Sequence, residues 1–573
     1  MPDLSAWLTS PCLPASVLVL GAGLTWLARR FLPARRSAVR LLQRMLPFFS
    51  VLAAGVAIWS LRRPVPSARF WLLSLPALEL DLSPRVQLDG WGWSFGLFLL
   101  WPALVAAGFR LFPLPSQVEG MADAPDWPRW LLLLAAFQVV LTAGDWLTLS
   151  AALILFDVVC LVTSASRAAG GWGFLINGLS GLMLLVVAFM LASGGHSLAL
   201  DGRVPPLPAV ATLVTATVLL RLAPYPLHFW LPGTQETVLP AWHWPMRLVS
   251  PVMGLYLMAR LAPHLAGSDL VAPLALIVGV AGCLVAALVA WLAAQRGSRE
   301  AIPLIGLYQV NLALASWAVS GEPLVGLWTS LVLIMAVAAL AVHRRWLDGR
   351  ENGSMVWWSA VPGGLAAAVL AGLPLTVGLF VRQPLYRALL RNRQVGWLVL
   401  LLMAEAMLAA TLLNLWGGLR PGVFTWRAMG ERVSWRAWGP TALLATPLLL
   451  LGSRPSLAAW LARFPPTMGS SWAALKLGQL VQGGIGLWAA LLLPLVIGYG
   501  LCRSGVAWPV EMRDAETRLT LFLRLGWLHR ALDRALGQVR QALWAVGAVL
   551  HGEGYLAWVS FSLLLIFLFV LRQ

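Results

Sequence analysis

The sequence has little charge and almost no lysine. Only 11% of its 573 residues are charged, whereas 60% are hydrophobic, and the mean hydropathy is +0.79. A typical soluble domain contains about 25% charged residues, so the composition excludes a water-soluble enzyme or binding module for most of the chain. Lys476 is the only lysine, and the formal net charge of +18 therefore comes from arginine.

Cysteine is also scarce, and nucleotide-binding loops are missing. The four cysteines are isolated and show neither a C-x-x-C motif nor zinc-site spacing to histidine. No glycine-rich phosphate-binding loop follows a predicted strand. We therefore expect no metal, cluster or cofactor on this chain, and no catalysis by the chain alone. The cysteines are Cys12, Cys160, Cys283 and Cys502.

Long apolar runs dominate the rest of the sequence. There are about sixteen, each about 17 to 25 residues long, which is the length that an α-helix needs to cross a bilayer. The sequence therefore predicts an all-α polytopic membrane protein. The predicted helices lie near residues 11–28, 45–61, 91–110, 129–147, 148–166, 173–193, 205–223, 245–263, 271–295, 301–320, 322–343, 357–391, 394–416, 438–453, 482–502 and 555–571.

Arginines cluster immediately after the first predicted helix. Because positively charged loops remain on the cytoplasmic side, this cluster predicts that the N-terminus lies outside. Arg62, Arg63 and the stretch from Arg387 to Arg393 would lie on the other side if the helices simply alternate. The cluster comprises Arg29, Arg30, Arg35, Arg36, Arg40 and Arg44.

Two of the predicted helices contain helix breakers beside an arginine. In "LRLAPYPLHFWLP" (220–232), Pro224 and Pro226 follow Arg221; in "AGLPLTVGLFVRQP" (371–384), Pro374 precedes Arg382. Backbone groups freed by a break need water or polar neighbours, so a broken helix lines a cavity and not lipid. Breaks in helices 7 and 12, five helices apart, favour an inverted-repeat transporter with a mid-membrane site.

Two shorter segments have other patterns. "ALELDLSPRVQLDGWGW" (77–93) alternates apolar and polar residues around Ser83 and Pro84, which predicts a short hairpin on the outer surface. Residues 511–551 space arginines and leucines at three and four, which is typical of an amphipathic helix lying along a membrane or a neighbouring protein.

The region around the first break resembles a known family. "RLAPYPLHFWLPGTQETVLPAWHWPMRLVSPVMGLYLMARL" is similar to the signature region of the antiporter-like membrane subunits of respiratory complex I, Mrp cation/proton antiporters and membrane-bound hydrogenases, in which "PFHxWLP" precedes a helix ending "GxYLxxR". "VQLDGWGWSF" and "AGLPLTVGLFVRQPL" resemble two further family motifs, the "DGLS" entry to helix 3 and the break in helix 12. The matching residues are Pro226, His228, Trp230, Leu231, Pro232, Glu236, Pro240, Gly254, Tyr256 and Arg260.

The resemblance implies a core of about 14 helices with two inverted five-helix repeats. It also implies a multi-pass subunit of the inner (cytoplasmic) membrane of a prokaryote, with other membrane subunits, lipid, and protons or monovalent cations as its partners and no nucleic acid. The implied divisions are residues 1–128 (helices 1–3 and hairpin), 129–263 (helices 4–8), 271–417 (helices 9–13), 418–510 (helices 14–15), 511–551 (lateral amphipathic helix) and 555–573 (final transmembrane helix).

The family's proton-carrying positions can be placed on this chain one at a time. The helix-5 glutamate aligns with Asp157, the helix-7 lysine with Arg221, and the helix-12 lysine or glutamate with Arg382; the helix-8 lysine falls at Val252. The stretch "GLWTSLVLIMAVAALAV" carries none of the family's later titratable residues. The predicted ion-translocation residues are Asp157, Arg221, His228, Arg382 and Glu405, with Glu236 and Arg247 in support.

Arginine changes the chemistry that these positions can perform. A buried lysine can be tuned to give and take a proton, but a guanidinium stays charged in proteins. We expect Asp157 to pair with Arg221 and Glu405 with Arg382, because intramembrane charges pair with one another. His228 is expected to be a hydrogen-bond partner more than a proton shuttle.

Three functions remain open on this sequence. The first is an ion-translocating subunit of a complex I-like, Mrp-like or hydrogenase-like assembly, in which any oxidoreductase activity belongs to the complex. The second is a non-pumping scaffold that kept the fold, with its ion pairs static. The third is a subunit of an anion uptake complex, with bicarbonate as the anion held by the arginines. Retained acids and both helix breaks favour the first function, and the missing lysines favour the other two.

Overall fold

The computed structural model divides into two compact units, Met1–Ala507 and Trp508–Gln573. It describes residues 10–32, 37–62, 68–69, 74–75, 80–81, 85–111, 126–163, 167–200, 207–230, 244–265, 271–296, 300–322, 324–348, 357–416, 435–454 and 484–504, together with separate residues between 518 and 562.

The first half of the first unit contains eight helices. Prolines stand in the first turn of α1, α4 and α7, where a missing N–H group costs nothing. The helices are α1 (Leu13–Phe31), α2 (Ser37–Ser60), α3 (Gly90–Leu111), α4 (Trp127–Leu141), α5 (Trp146–Thr163), α6 (Arg167–Ser193), α7 (Pro208–Leu222) and α8 (Trp244–Leu265).

The second half adds eight more. Helix α11 is continuous in three segments, α-helical at each end and π-helical from Val332 to Val337. The helices are α9 (Val271–Gln295), α10 (Ala301–Ser320), α11 (Leu324–Leu331, Val332–Val337 and Ala338–Asp348), α12 (Trp357–Leu370), α13 (Val377–Arg391), α14 (Val395–Trp416), α15 (Trp435–Ser453) and α16 (Gly484–Arg503).

These elements confirm the predicted all-α membrane fold. Each of the first fifteen predicted helices is present, and eight helices within the described ranges are long and apolar enough to cross a membrane. The last predicted helix, near 555–571, is described at only two positions. The predicted domain divisions are not tested by this architecture and stay predictions.

The helices differ in how much they are enclosed. The spans of α10 and α11 are 83% and 100% buried inside the protein, whereas that of α2 is only 28% buried. Large apolar side chains such as Leu20, Val162 and Phe189 are exposed on α1, α5 and α6. A helix that is apolar on all sides is stable in a bilayer or in a core, so α10 and α11 form the centre and these other faces contact lipid.

Both predicted helix breaks are present. Helix α7 ends at Leu222, Ala223 has a left-handed φ of 51°, and a short 3₁₀ turn follows at Leu227–Trp230. Helix α12 ends at Leu370, and α13 starts at Val377 after an irregular stretch. These stretches are called the first break (223–226) and the second break (371–376) below.

The hairpin prediction was wrong in its pairing. Strands β3 (Leu80–Asp81) and β4 (Arg85–Val86) flank Ser83 and Pro84 but do not pair with each other. Instead β3 pairs antiparallel with β2 (Ser74–Leu75), and β4 with β1 (Ala68–Arg69). The alternating pattern predicts strands, but register depends on turn geometry, which this pattern does not contain.

The second unit is helical at most of its described positions, but its helix is not continuous. Leu525 has a left-handed φ of 57°, and its N–H donates to the carbonyl of Phe522. A left-handed non-glycine residue cannot continue a right-handed helix. The single amphipathic helix predicted over 511–551 is therefore interrupted at Leu525.

Candidate functional site: two buried ion pairs beside broken helices

The first ion pair joins α5 to the end of α7. Arg221 donates from Nη1 to Oδ1 of Asp157 at 2.7 Å and from Nη2 to Oδ2 at 2.6 Å. Arg221 is 0% exposed and Asp157 2%. Two parallel bonds between a guanidinium and a carboxylate give a strong, fixed geometry, so the expected pair is present and Arg221 does not extend to a membrane surface.

Helix α6 supplies the remaining partners of Arg221. Its Nε donates to Oγ of Ser180 at 2.6 Å, and Nη2 also donates to the carbonyl of Asn177 at 3.0 Å. Ser150 on α5 donates to the carbonyl of Gly181 at 2.8 Å, which ties α5 to α6 beside the pair. The guanidinium is thus held by one acid and two α6 acceptors.

The second ion pair joins α13 to α14. Arg382 donates from Nε to Oε1 of Glu405 at 2.6 Å, and the two residues are 1% and 5% exposed. Nη2 donates to the carbonyl of Leu370 at 2.7 Å and Nη1 to that of Gly378 at 3.2 Å. Leu370 is the last residue of α12, so Arg382 satisfies a carbonyl left free by the break.

Gly372 makes room for this arrangement. Its φ is +71°, and a Cβ added there would lie 2.4 Å from Cδ of Arg382 and 2.6 Å from Nε. Only glycine adopts that φ without a steric penalty and leaves space for the arginine side chain. The glycine and arginine of "AGLPLTVGLFVRQP" therefore fit one another.

The two ion pairs are not related simply by the predicted repeat. In the first, the acid lies on α5, two helices before its arginine; in the second, it lies on α14, immediately after the broken helix. Glu405 was expected to pair with Arg382, and it does so. The helix that would correspond to α5 in a second repeat is α10, which places neutral amides in this region.

Helix α10 contacts both breaks. Oδ1 of Asn311 accepts from the backbone N–H of Tyr225 at 3.2 Å, and Nε2 of Gln309 donates to the carbonyl of Leu370 at 2.9 Å. Both amides are 0% exposed. These two residues were not identified from the sequence; the only available signal was the presence of amides in an otherwise apolar helix.

The remaining predicted residues lie in different places. His228 is 2% exposed, and its ring stacks on Tyr225 with centroids 5.3 Å apart. Glu236 lies outside the described residues, and Arg247 lies on α8 with a side chain that the structure does not describe. Val252, where relatives carry a lysine, is fully buried.

One titratable residue at the end of α11 was missed. His343 directly follows the apolar stretch that carries no charge, and it is only 2% exposed. Its Nε2 lies 3.5 Å from the carbonyl of Trp416 on α14. The helix continues to Asp348, so His343 lies within it and not in a loop.

Within the described ranges, no group of three or more His, Cys, Asp or Glu residues could hold a metal ion. What the site can do is bound by its charges. Two permanent cations are each neutralised by one carboxylate, and only the carboxylates can change protonation state near neutral pH.

Sequence comparisons agree with this architecture over part of the chain. No family model matches. A 215-residue stretch, 32% of this chain and 37% of the relative, is 28% identical to a probable inorganic carbon transporter subunit, DabB1, from Halothiobacillus neapolitanus. A 338-residue stretch, 53% of this chain and 33% of the relative, is 24% identical to the A/B component of a probable K⁺/H⁺ antiporter from Rhizobium meliloti. The chain thus matches about a third of each relative's length.

Two solved structures share the fold over nearly the whole chain. One belongs to the Mrp complex of Dietzia sp. DQ12-45-1b: TM-score 0.63, 19% identity, 96% of this chain and 63% of the other. The resemblance to the antiporter-like membrane subunits is confirmed. The other belongs to the membrane-bound sulfane sulfur reductase, an archaeal respiratory membrane complex: TM-score 0.63, 14% identity, 98% of this chain and 99% of the other.

The antiporter-like fold places both arginines where its helices break. A multi-pass membrane protein of this fold carries its buried charges away from lipid, and here each of the two arginines meets a carboxylate and backbone carbonyls or hydroxyls. The roles predicted for these residues in ion movement are not tested by the fold alone.

Proposed function

We propose that the chain is an ion-translocating membrane subunit of a larger membrane complex, moving protons or exchanging a monovalent cation for them. The observation that carries the proposal is the presence of two fully buried arginine–carboxylate pairs, each beside a helix break. Replacing a buried ion pair by apolar residues is often neutral or stabilising, so stability alone does not explain two of them. Intramembrane ionisable groups typically mark ion pathways.

In this proposal the carboxylates are the groups that exchange protons. Each arginine compensates the charge of its acid and orders water at the break, since the guanidinium itself stays protonated. The complex is Mrp-like, complex I-like or hydrogenase-like, and its other subunits supply the energy. The names of the antiporter relative and of the Mrp neighbour support the cation-exchange form.

The test is proton flux into proteoliposomes that contain the whole complex. Asp157→Asn keeps the shape of the side chain and removes its charge, and we expect the flux to fall. Asp126→Asn is the matched control, because Asp126 is 44% exposed and pairs only with surface arginines among the described residues. Equal flux in the parent and the Asp157→Asn variant would exclude the assigned role of Asp157.

A second candidate is an anion uptake subunit that handles bicarbonate. It is favoured by the two permanent guanidinium groups, whose planar fork suits carboxylate-like anions, and by the match to the inorganic carbon transporter relative. Uptake of labelled bicarbonate into the same vesicles separates the two functions. If bicarbonate enters without counter-movement of protons, and Arg382→Lys abolishes it, the anion function replaces the first.

A further inference from the structure

Helix α10 is the only described helix whose side chains bond to the backbone of both breaks. Asn311 accepts from Tyr225 in the first break, and Gln309 donates to Leu370 at the second. Two residues along an α-helix are separated by about 200° of rotation, so the two amides lie on nearly opposite sides of α10. One helix turn therefore contacts both halves of the site.

The Gln309 contact also involves the second ion pair. The carbonyl of Leu370 accepts from Nε2 of Gln309 at 2.9 Å and from Nη2 of Arg382 at 2.7 Å. Both donors use the same end of α12. Because Arg382 reaches Glu405 through its Nε, the position of this carbonyl helps to set the geometry of the ion pair.

The Asn311 contact is fixed from two other directions. Its Nδ2 donates to the carbonyl of Leu307 at 2.8 Å. On α9, a Cβ added to Gly282 would lie 2.0 Å from Oδ1 of Asn311, so no larger residue fits there. The amide therefore has one orientation, with its oxygen toward the first break.

Polar atoms between these contacts lack a protein partner. Oε1 of Gln309 and the hydroxyl of Tyr308 are buried and form no hydrogen bond with the described residues. Tyr308 is one helix turn from Asn311 and lies close enough to Glu405 and Arg382 to interact electrostatically. Buried polar atoms of this kind are usually satisfied by ordered water.

We propose that Gln309 and Asn311 are positioning residues that join the two ion pairs, each holding one helix break while bound water bridges the polar atoms of α10 between them. This connection uses residues of α10 that are neutral and cannot themselves carry a proton. Its place in transport rests on the proposed ion-translocating function, whereas the positioning of the breaks does not.

The experiment compares substitutions on one helix within the intact complex. Gln309→Met keeps the length of the side chain and removes its hydrogen bond; Asn311→Leu does the same at the first break. Ser316→Ala is the matched control, because Oγ of Ser316 donates to the carbonyl of Val381 at 2.9 Å from the same buried helix without contacting either break. Gln309→Asn, which keeps the amide but shortens it, is the second variant if Gln309→Met does not fold.

The first measurement is amide hydrogen exchange at the breaks, which needs no transport activity. Gln309→Met is expected to speed exchange at 371–376 by about tenfold, as the loss of one buried hydrogen bond allows, and Asn311→Leu is expected to do so at Tyr225. Ser316→Ala should leave both unchanged. Equal exchange at the breaks in the control and in the two variants would overturn the positioning role.

The other measurements test the water and the transport step. Cryo-electron microscopy at water-resolving quality should show density within hydrogen-bond distance of Oε1 of Gln309, and a dry apolar contact there would overturn the bridge. Flux should fall in both variants but not in the control. Flux that responds to Asp157→Asn but not to the α10 variants would overturn the connection alone; a parent without flux would count against the proposed function, and exchange would still decide the positioning role.

Discussion

Nε of Arg260 on α8 lies 2.9 Å from Oδ2 of Asp89, immediately before α3. The two residues are 171 positions apart and come from two separate stretches that resemble family motifs, "GLYLMAR" and "VQLDGWGWSF". Asp89 also accepts from the N–H of Gly92 at 2.7 Å, as an N-cap does. Arg260 donates from Nη1 to the hydroxyl of Tyr256, one turn earlier. The two motifs therefore meet in one structural contact that ties α3 to α8.

Arg260→Met is expected to destabilise the protein. The side chains of Arg260 and Asp89 are only 6% and 18% exposed, and removing one partner of a buried pair costs about 3–5 kcal/mol. Thermal unfolding in detergent measures the loss. Arg129→Met provides the comparison, since Arg129 and Asp126 are 50% and 44% exposed and exposed pairs contribute about 0–1 kcal/mol. A similar shift in both variants would contradict a structural role for the Arg260 contact.

Much of the architecture could be predicted from the sequence because the relevant signals are local. Apolar length predicts the helices, and proline or glycine beside Arg221 and Arg382 predicts the breaks. The pairing of each arginine with an acid follows from the cost of leaving a charge unpaired in a membrane. These expectations needed no knowledge of how distant segments pack.

The α10 amides could not be predicted in this way. Gln309 and Asn311 bond to backbone groups that are 61 and 86 residues away in sequence. Those groups become available only because a helix ends there, so the sequence of α10 contains no pattern that identifies the partners. The same reason explains the strand pairing of β3 and β4, which is decided by contacts outside the alternating segment.

Asp157→Glu tests how closely the first ion pair is packed. Relatives carry glutamate at the aligned position, but here the site is formed by closely packed helices, since a Cβ on Gly181 would lie 2.9 Å from Cγ1 of Ile154 and 3.9 Å from Nη2 of Arg221. An added methylene in a filled core costs about 1–3 kcal/mol. We expect a lower unfolding temperature, with the charge of the pair retained. An unchanged or higher temperature would mean that the site accommodates glutamate.

Arg221→Lys separates charge from geometry at the same pair. Lysine keeps the positive charge but loses the two-pronged contact with Asp157 and the bond to Ser180. We expect a loss of stability smaller than that of Arg221→Met, which leaves Asp157 buried and unpaired. Since a buried lysine can exchange protons, flux in proteoliposomes should be retained or increased. Loss of flux in Arg221→Lys, with the fold intact, would show that the guanidinium geometry is required.

Gly372→Ala should disturb the second ion pair. A methyl group would lie 2.4 Å from Cδ of Arg382, and alanine would have to adopt a φ of +71°, a backbone strain of about 1–3 kcal/mol. Arg382 would therefore be displaced from Glu405 and from the carbonyl of Leu370. Gly396→Ala on α14 is the matched control, because a Cβ there meets nothing within 4 Å and alanine stabilises a helix interior by about 0.5–1 kcal/mol relative to glycine. Thermal unfolding should therefore fall for the first variant and hold or rise for the second. If Gly372→Ala unfolds at the parent's temperature and its structure keeps the contact between Arg382 and Glu405, then glycine is not what leaves room for this ion pair.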